Sequence, residues 1–330
     1  MSVPTGRIAC PPLGNAPANA AVATTAGTRK GFVVKASRYI FLVLVLFPIV
    51  AAAQINDTYV IPVAGNTPGA FSTRWATQFS LFNPQSYALK VSVTYVPTLG
   101  GQGIEKLVDV PANAVAFSDN ILADLFNIQG GGSLLVATFP EDNSGVADTV
   151  IARAFLVTTN TFNNSSSGTF GQTIPGIWTG LQDFATDGIS AVAHGVRNLS
   201  AQGWRANIGA VNLGRASVTM RVSVYDIDGK TVSKDIPFTI PPLAHMQDSL
   251  PVQVDRGSVE FFIDDATKQA VVFPYVSVID QLSGDPTYQS PALLATPSVL
   301  FQKAAKIDTS FARQVRATAA HLGEGELKTR

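Results

Sequence analysis

Trp75-Ala-Thr-Gln-Phe-Ser-Leu-Phe-Asn83 and Trp204-Arg-Ala-Asn-Ile-Gly-Ala-Val-Asn212 decide the fold, because the second stretch repeats the first 129 residues later. Trp falls on Trp, Asn falls on Asn, and the apolar positions between them are kept. The strand that follows repeats at the same offset: Leu89, Val91, Val93 and Tyr95 alternate with polar residues, as do Val218, Met220, Val222 and Val224. A period of two places one face in a core and the other in solvent. Further on, Val110-Pro111 answers Ile240-Pro241 at an offset of 130, and Gly132-Ser133-Leu134 answers Gly257-Ser258-Val259 at 125. Small drifts are what unequal loops produce, so the chain reads as an internal duplication.

Each copy holds roughly seven short apolar and polar alternations punctuated by Gly, Pro, Asn and Ser, the spacing and size of a β-sandwich. The expected fold is all-β, two tandem immunoglobulin-like antiparallel β-sandwich domains with a short C-terminal helix. Domain 1 is expected over 54–175 and domain 2 over 189–290, with a linker at 176–188 and a basic tail at 291–330. Ser118-Asp119 followed by Ile121, Leu122, Leu125 and Phe126 reads as a capped short helix over one end of the first core. Thr161 to Gly188, rich in Asn, Ser, Gly and Thr, reads as a long loop pinned by Trp178 and Phe184. In the tail, Phe311, Val315, Ala319 and Leu322 recur at helical spacing opposite Arg313 and Arg316. That pattern predicts an amphipathic helix, packed on the sandwich or touching a membrane surface.

Tyr39 to Ala53 is a run of apolar residues preceded by Lys35 and Arg38 and closed by three alanines, the three parts of a signal peptide at 35–53. As a helix the run rises about 22 Å, short of the ~30 Å hydrocarbon core, and Pro48 interrupts it. Cleavage near Ala53 and a secreted protein, extracellular or periplasmic, are the expectation. Residues 1–34 precede the basic segment and read as a non-native or disordered extension, with Val33 or Val34 a candidate true start. The single cysteine, Cys10, lies there, so the secreted part would rely on packing without disulfides.

Charge narrows the function classes. The first 53 residues carry five cations and no acid, which leaves 18 basic against 23 acidic residues beyond them. An acidic chain without clustered Lys and Arg lacks the footprint of a nucleic-acid binder. His194, His245 and His321 are far apart in sequence, and neither His-Glu-x-x-His nor Gly-x-Ser-x-Gly occurs. No cofactor is expected. Asp226-Ile-Asp228-Gly229 resembles the opening of a calcium loop but lacks a closing Glu, and Asp-Gly between strands reads as a hairpin turn. The recurring Trp75 and Trp204, flanked by Arg74 and Arg205, are the candidate ligand-binding residues, read either as core or as an aromatic platform.

With the duplicated Trp strand, Val63-Ala-Gly-Asn66, Gly168-Thr-Phe-Gly-Gln-Thr-Ile-Pro175 and Gly284-Asp-Pro-Thr-Tyr288 in view, residues 58–290 resemble a group of uncharacterised secreted bacterial proteins of acidobacteria-like genomes. The resemblance implies a secreted tandem β-sandwich and transfers no activity and no catalytic residue. The expected function is a non-enzymatic cell-surface or secreted module binding a polysaccharide, an envelope component or a protein. Two alternatives stand beside it: a polymer hydrolase using acids such as Asp119, Asp124, Asp226 and Asp228, and a structural subunit assembling through edge strands.

Overall fold

The computed structural model describes residues 58–69, 74–138, 154–165, 168–179, 190–263, 270–294 and 315–329. The signal segment, Phe184 and Phe311 lie outside the described residues.

The chain is mostly strand, in three antiparallel or mixed sheets. In the first half, β3 (Leu89–Pro97) lies between β4 (Ile104–Val110) and β6 (Gly130–Thr138); β6 pairs with β1 (Thr58–Pro68), and β1 with β9 (Ile177–Trp178). The facing layer sets β2 (Arg74–Phe82) between β5 (Val115–Ser118) and β7 (Leu156–Ser165), with β8 (Gly168–Pro175) beyond β7. β1 belongs to both layers: after a register shift between Ile61 and Ala64, its end pairs Thr67 and Pro68 with Trp75 and Arg74.

The second half repeats this order. β12 (Val218–Tyr225) lies between β13 (Thr231–Ile240) and β15 (Val254–Ile263), and β15 pairs with β10 (Ser190–Asn198), which takes β18 (Ala292–Leu294). Facing it, β11 (Trp204–Asn212) lies between β14 (Ala244–Ser249) and β16 (Val272–Asp280), with β17 (Pro286–Gln289) outermost. The layers enclose one apolar cluster per half, with Phe79, Leu81 and Val93 answered by Ile208, Ala210 and Val222.

The strand order departs from the immunoglobulin expectation. An immunoglobulin sandwich groups its first, second, fourth and fifth strands against its third, sixth and seventh. Here the first, third, fourth and sixth share a layer and face the second, fifth and seventh.

One buried side chain shows how the offsets are built into the packing. Asn83 Nδ2 donates to the carbonyls of Tyr87, Val110 and Pro111, while its Oδ1 accepts from the Gln85 amide. Asn212 does the same 129 residues on, donating to Ala216, Ile240 and Pro241 and accepting from the Gly214 amide. Both amides are fully buried, and each ties the turn after the second strand to the end of the fourth.

Two local expectations change. The Asn- and Thr-rich stretch from Thr161 is not a loop, because β7, β8 and β9 run through it as far as Trp178. Threonine fills a strand at no loss when its hydroxyl is bonded, and here Thr159 donates to the Ile174 carbonyl while Thr161 meets Thr77 at 2.8 Å. The expected tail helix is a single turn over 315–318, after which the chain pairs as β19 (Ala320–Glu324) with β4 and as β20 (Lys328–Thr329) with β5. His321 and Leu322 therefore lie on a strand. The open edges of β4 and β5 offer unpaired backbone groups, and filling them outweighs helical propensity in a short segment. The capped helix of the first half does form, as α1 (Ile121–Asp124), with Asn120 rather than Ser118 or Asp119 at the N-cap. The other outer edge, β13, carries Pro237, a register shift and Asp235 at φ 55°, features that blunt pairing. Among the described residues no helix is long and apolar enough to cross a membrane.

The halves meet through the outer face of β11 and β16. Val211, Leu213 and Phe273 pack on Val60, Val96 and Leu135 of the first half, with Val315 of the tail in the same cluster.

Candidate functional site

Register on β14, β11 and β16 arranges side chains in rows on the face turned to the first half. His245, Val211 and Phe273 make one row; Gln247, Gly209 and Tyr275 the next; Asn207 and Ser277 a third; Arg205 and Ile279 the last. The first row is part of the seal between the halves. The last two face a cavity of about 470 Å³ whose opposite wall is Trp75 of β2, Thr161 of β7, Gln172 of β8 and Val63–Gly65 of β1. The cavity lies where β1 passes from one layer to the other, between Asn66, its last partner on β6, and Thr67, its first on β2.

Gly209 organises the middle row. With no side chain there, the Tyr275 ring lies across β11, stacked on His245 with ring centres 6.0 Å apart. Tyr275 Oη donates to Gln247 Oε1 at 2.8 Å, so its oxygen accepts from His245 Nε2 at 2.8 Å. In the neutral ring that burial favours, His245 Nδ1 is then the acceptor for the Thr98 hydroxyl at 2.9 Å. Burial keeps the imidazole neutral, and the Gln247 Nε2 hydrogens remain for the cavity that Gln247 lines. Burial drives the His245 pKa down to about 4 and pushes that of Tyr275 well up.

The His245 shift has a measurable consequence. The folded value lies below the 6.5 of the free side chain, so the unfolded chain takes up a proton that the folded chain refuses. Its contribution to stability is full above pH 6.5 and falls away between 6.5 and about 4, by about 3 kcal/mol. Urea unfolding from pH 7.5 to 4.5 should show this loss, and His245→Gln should flatten it; an equally steep curve in the variant would refute the assignment.

Donors without partners distinguish this cavity. Ser277 donates to Gln172 Oε1 at 3.3 Å, which leaves the Gln172 amide hydrogens unused. Among the described residues the side chains of Trp75, Arg205 and Asn207 make no hydrogen bond or ion pair. Burial lowers the Arg205 pKa, with no carboxylate among the described lining residues to oppose it.

The four residues singled out from sequence therefore separate. Trp75 and Arg205 come together across the cavity. Trp204 occupies the equivalent start of β11 and exchanges backbone hydrogen bonds with Leu199, much as Trp75 pairs with Thr67. It packs against the second core, however, with the Arg197 guanidinium 4.9 Å above its ring. Arg74 is exposed and donates to Asn66 Oδ1. Asp226 and Asp228 form the β12–β13 hairpin turn, where Asp226 Oδ1 accepts from the amides of Asp228 and Lys230. No group of three or more metal-ligating side chains occurs among the described residues. Asp119 and Asp124 stand by α1, the first bonded to Lys328 and Gln78, the second to Ser118. The four acids named for hydrolysis thus stand at two places, two beside α1 and two in the β12–β13 turn, and none of them lines the cavity. The tail cations Arg316 and Lys328 are engaged by Glu105 and Asp119.

Asn207, Gln172, Gln247 and the His245–Tyr275 pair escape a reading from sequence, because their meeting depends on strand register and on how the halves dock.

No family model and no curated protein matches the chain. Among solved structures, the crystal structure of procruciferin, an 11S globulin from Brassica napus, is similar over 83% of this chain and 88% of that one, at 8% identity and a TM-score of 0.20. A likeness that weak carries no argument about fold or function.

Proposed function

We propose that this is a secreted, non-enzymatic module that binds a saccharide in the cavity between its two halves. The observation that carries the reading is the pairing of an indole with unused donors. A half-buried Trp75 faces donors of Arg205, Asn207, Gln172 and Gln247 held at fixed positions on strands. An aromatic face suits the C–H side of a sugar ring, and amide and guanidinium donors suit its oxygens. At about 470 Å³ the cavity falls within the size range of ligand pockets. A concave, donor-lined site favours a small polar ligand over a flat protein surface, and its described lining offers no carboxylate for hydrolysis.

The scaffold under this reading is a duplicated β-sandwich, supported by the matching strand order and by the Asn83 and Asn212 ties. Secretion is supported by the apolar segment at 35–53. Only the second copy supplies its outer face to the cavity, so the duplication yields one site rather than two.

Calorimetry with a soluble oligosaccharide panel tests the proposal. At least one oligosaccharide should bind, Trp75→Ala should weaken it on the order of tenfold or more, and Arg74→Ala should leave it unchanged. A folded protein that binds none of the panel overturns the reading.

A further inference from the structure

Resting on the cavity as a saccharide site, we propose that its ligand is acidic: a uronic-acid-bearing oligosaccharide whose carboxylate is gripped by Arg205.

Arg205 is half-buried on β11, and among the described residues it has neither a hydrogen-bond partner nor a counter-ion. Among the described residues no Asp or Glu lines the cavity, and the other ionisable side chain there, His245, is neutral through burial. The described lining thus carries one uncompensated positive charge, withdrawn from much of its water. Such a charge is costly in the empty site, and an entering anion offsets the cost. A neutral sugar leaves the cost in place.

The rest of the lining agrees in sign. The unused groups of Trp75, Asn207, Gln172 and Gln247 include N–H donors that suit anionic or hydroxyl oxygens. Arg205 and Asn207 are two apart on one strand, so their side chains leave the same face about 7 Å apart. A carboxylate on the guanidinium fork, bound through both oxygens, then places neighbouring hydroxyls over Asn207. Duplication sharpens the point. At the 129-residue offset the first half has Ala76 where the second has Arg205, so the cation belongs to the one copy that faces the cavity.

The experiment titrates the mature protein with galacturonate, glucuronate and mannuronate trimers, with their methyl esters, and with sulfated neutral trimers. At least one uronate should bind, its ester should bind on the order of tenfold more weakly, and added salt should weaken the acid alone. Arg205→Gln should bring acid and ester to equal affinity, with Arg205→Lys between. Because Arg205 has no partner among the described residues, both variants should melt with the wild type. Equal binding of acid and ester by the wild type, preference retained in Arg205→Gln, or binding of sulfated trimers alone overturns this inference while leaving a saccharide site standing. If no saccharide of either kind binds, both readings fall.

Discussion

Glu105→Ala should lower the unfolding free energy by about 3–5 kcal/mol, the cost of breaking a buried ion pair from one side. The carboxylate is 3% exposed, and it accepts from Ser92 Oγ at 2.5 Å, Arg316 Nε at 2.5 Å and His321 Nδ1. Arg316 and His321 belong to the tail, so this carboxylate adds a buried side-chain tie to the backbone pairing of β19 with β4. Removing it leaves the guanidinium, itself largely buried, facing a hole without its carboxylate. The same site sets an acid limit. Burial works to raise the Glu105 pKa, but hydrogen bonds from Ser92, Arg316 and His321 and the charge of Arg316 outweigh it, and the net shift is downward. A carboxylate with a depressed folded pKa contributes fully above its unfolded value, 4.5, and loses that contribution as pH falls through the folded value. Urea unfolding at pH 7 gives the size of the effect, and a pH series gives its shape. Glu105→Ala should erase the loss below pH 4.5 while sparing the His245 window between 6.5 and about 4. Hydrogen exchange gives a second readout, because the amides of β19 should lose protection before those of β3. A variant as stable as the wild type, with β19 still protected, would show that backbone pairing alone holds the tail.

That dependence on a distant partner explains what the sequence could and could not disclose. Leu89, Val91, Val93 and Tyr95 announce a strand because alternation is local, a property of neighbours in the chain. Trp75 and Trp204, Asn83 and Asn212 announce the duplication because equivalent packing demands equivalent side chains at both sites. β8 was hidden because Gly168-Thr-Phe-Gly-Gln-Thr-Ile-Pro175 spends most of one face in solvent, and a polar strand of that kind has the composition of a loop. β19 was hidden for a different reason. Its pairing fills the edge of β4, more than two hundred residues earlier, and is made by backbone groups that every residue possesses. The candidate site shows both cases. Trp75 and Arg205 stand out in the sequence as unusual residues on a repeated strand, whereas Gln172 and Gln247 acquire a role only when the β14-β11-β16 layer of the second half closes over the open end of the first.

Gly209→Ala should be as disruptive as the loss of a buried charge, although it adds one methyl group. The new Cβ would lie 2.2 Å from Tyr275 Cζ and 2.4 Å from its hydroxyl oxygen. Tyr275 has no room to retreat, being fully buried between His245 and Tyr288, whose ring centres lie 6.0 and 5.7 Å away. Overpacking and the broken bonds to His245 and Gln247 together should cost about 3 kcal/mol or more. Coupling decides whether the mechanism is right. In a double-mutant cycle, Tyr275→Leu relieves the clash, so Gly209→Ala should cost far less in its background than in the wild type. Strictly additive costs would place the strain elsewhere. Binding separates this substitution from Glu105→Ala at matched stability. Displacing Tyr275 frees Gln247 from the bond that aims it into the cavity, so Gly209→Ala should weaken the oligosaccharide even at temperatures where the protein is fully folded. Glu105 lies under the tail and outside the cavity lining, so its loss should leave affinity unchanged in the folded fraction. Stability and recognition thus part at one glycine, whose missing side chain lets a tyrosine of β16 orient a glutamine of β14 across the strand between them.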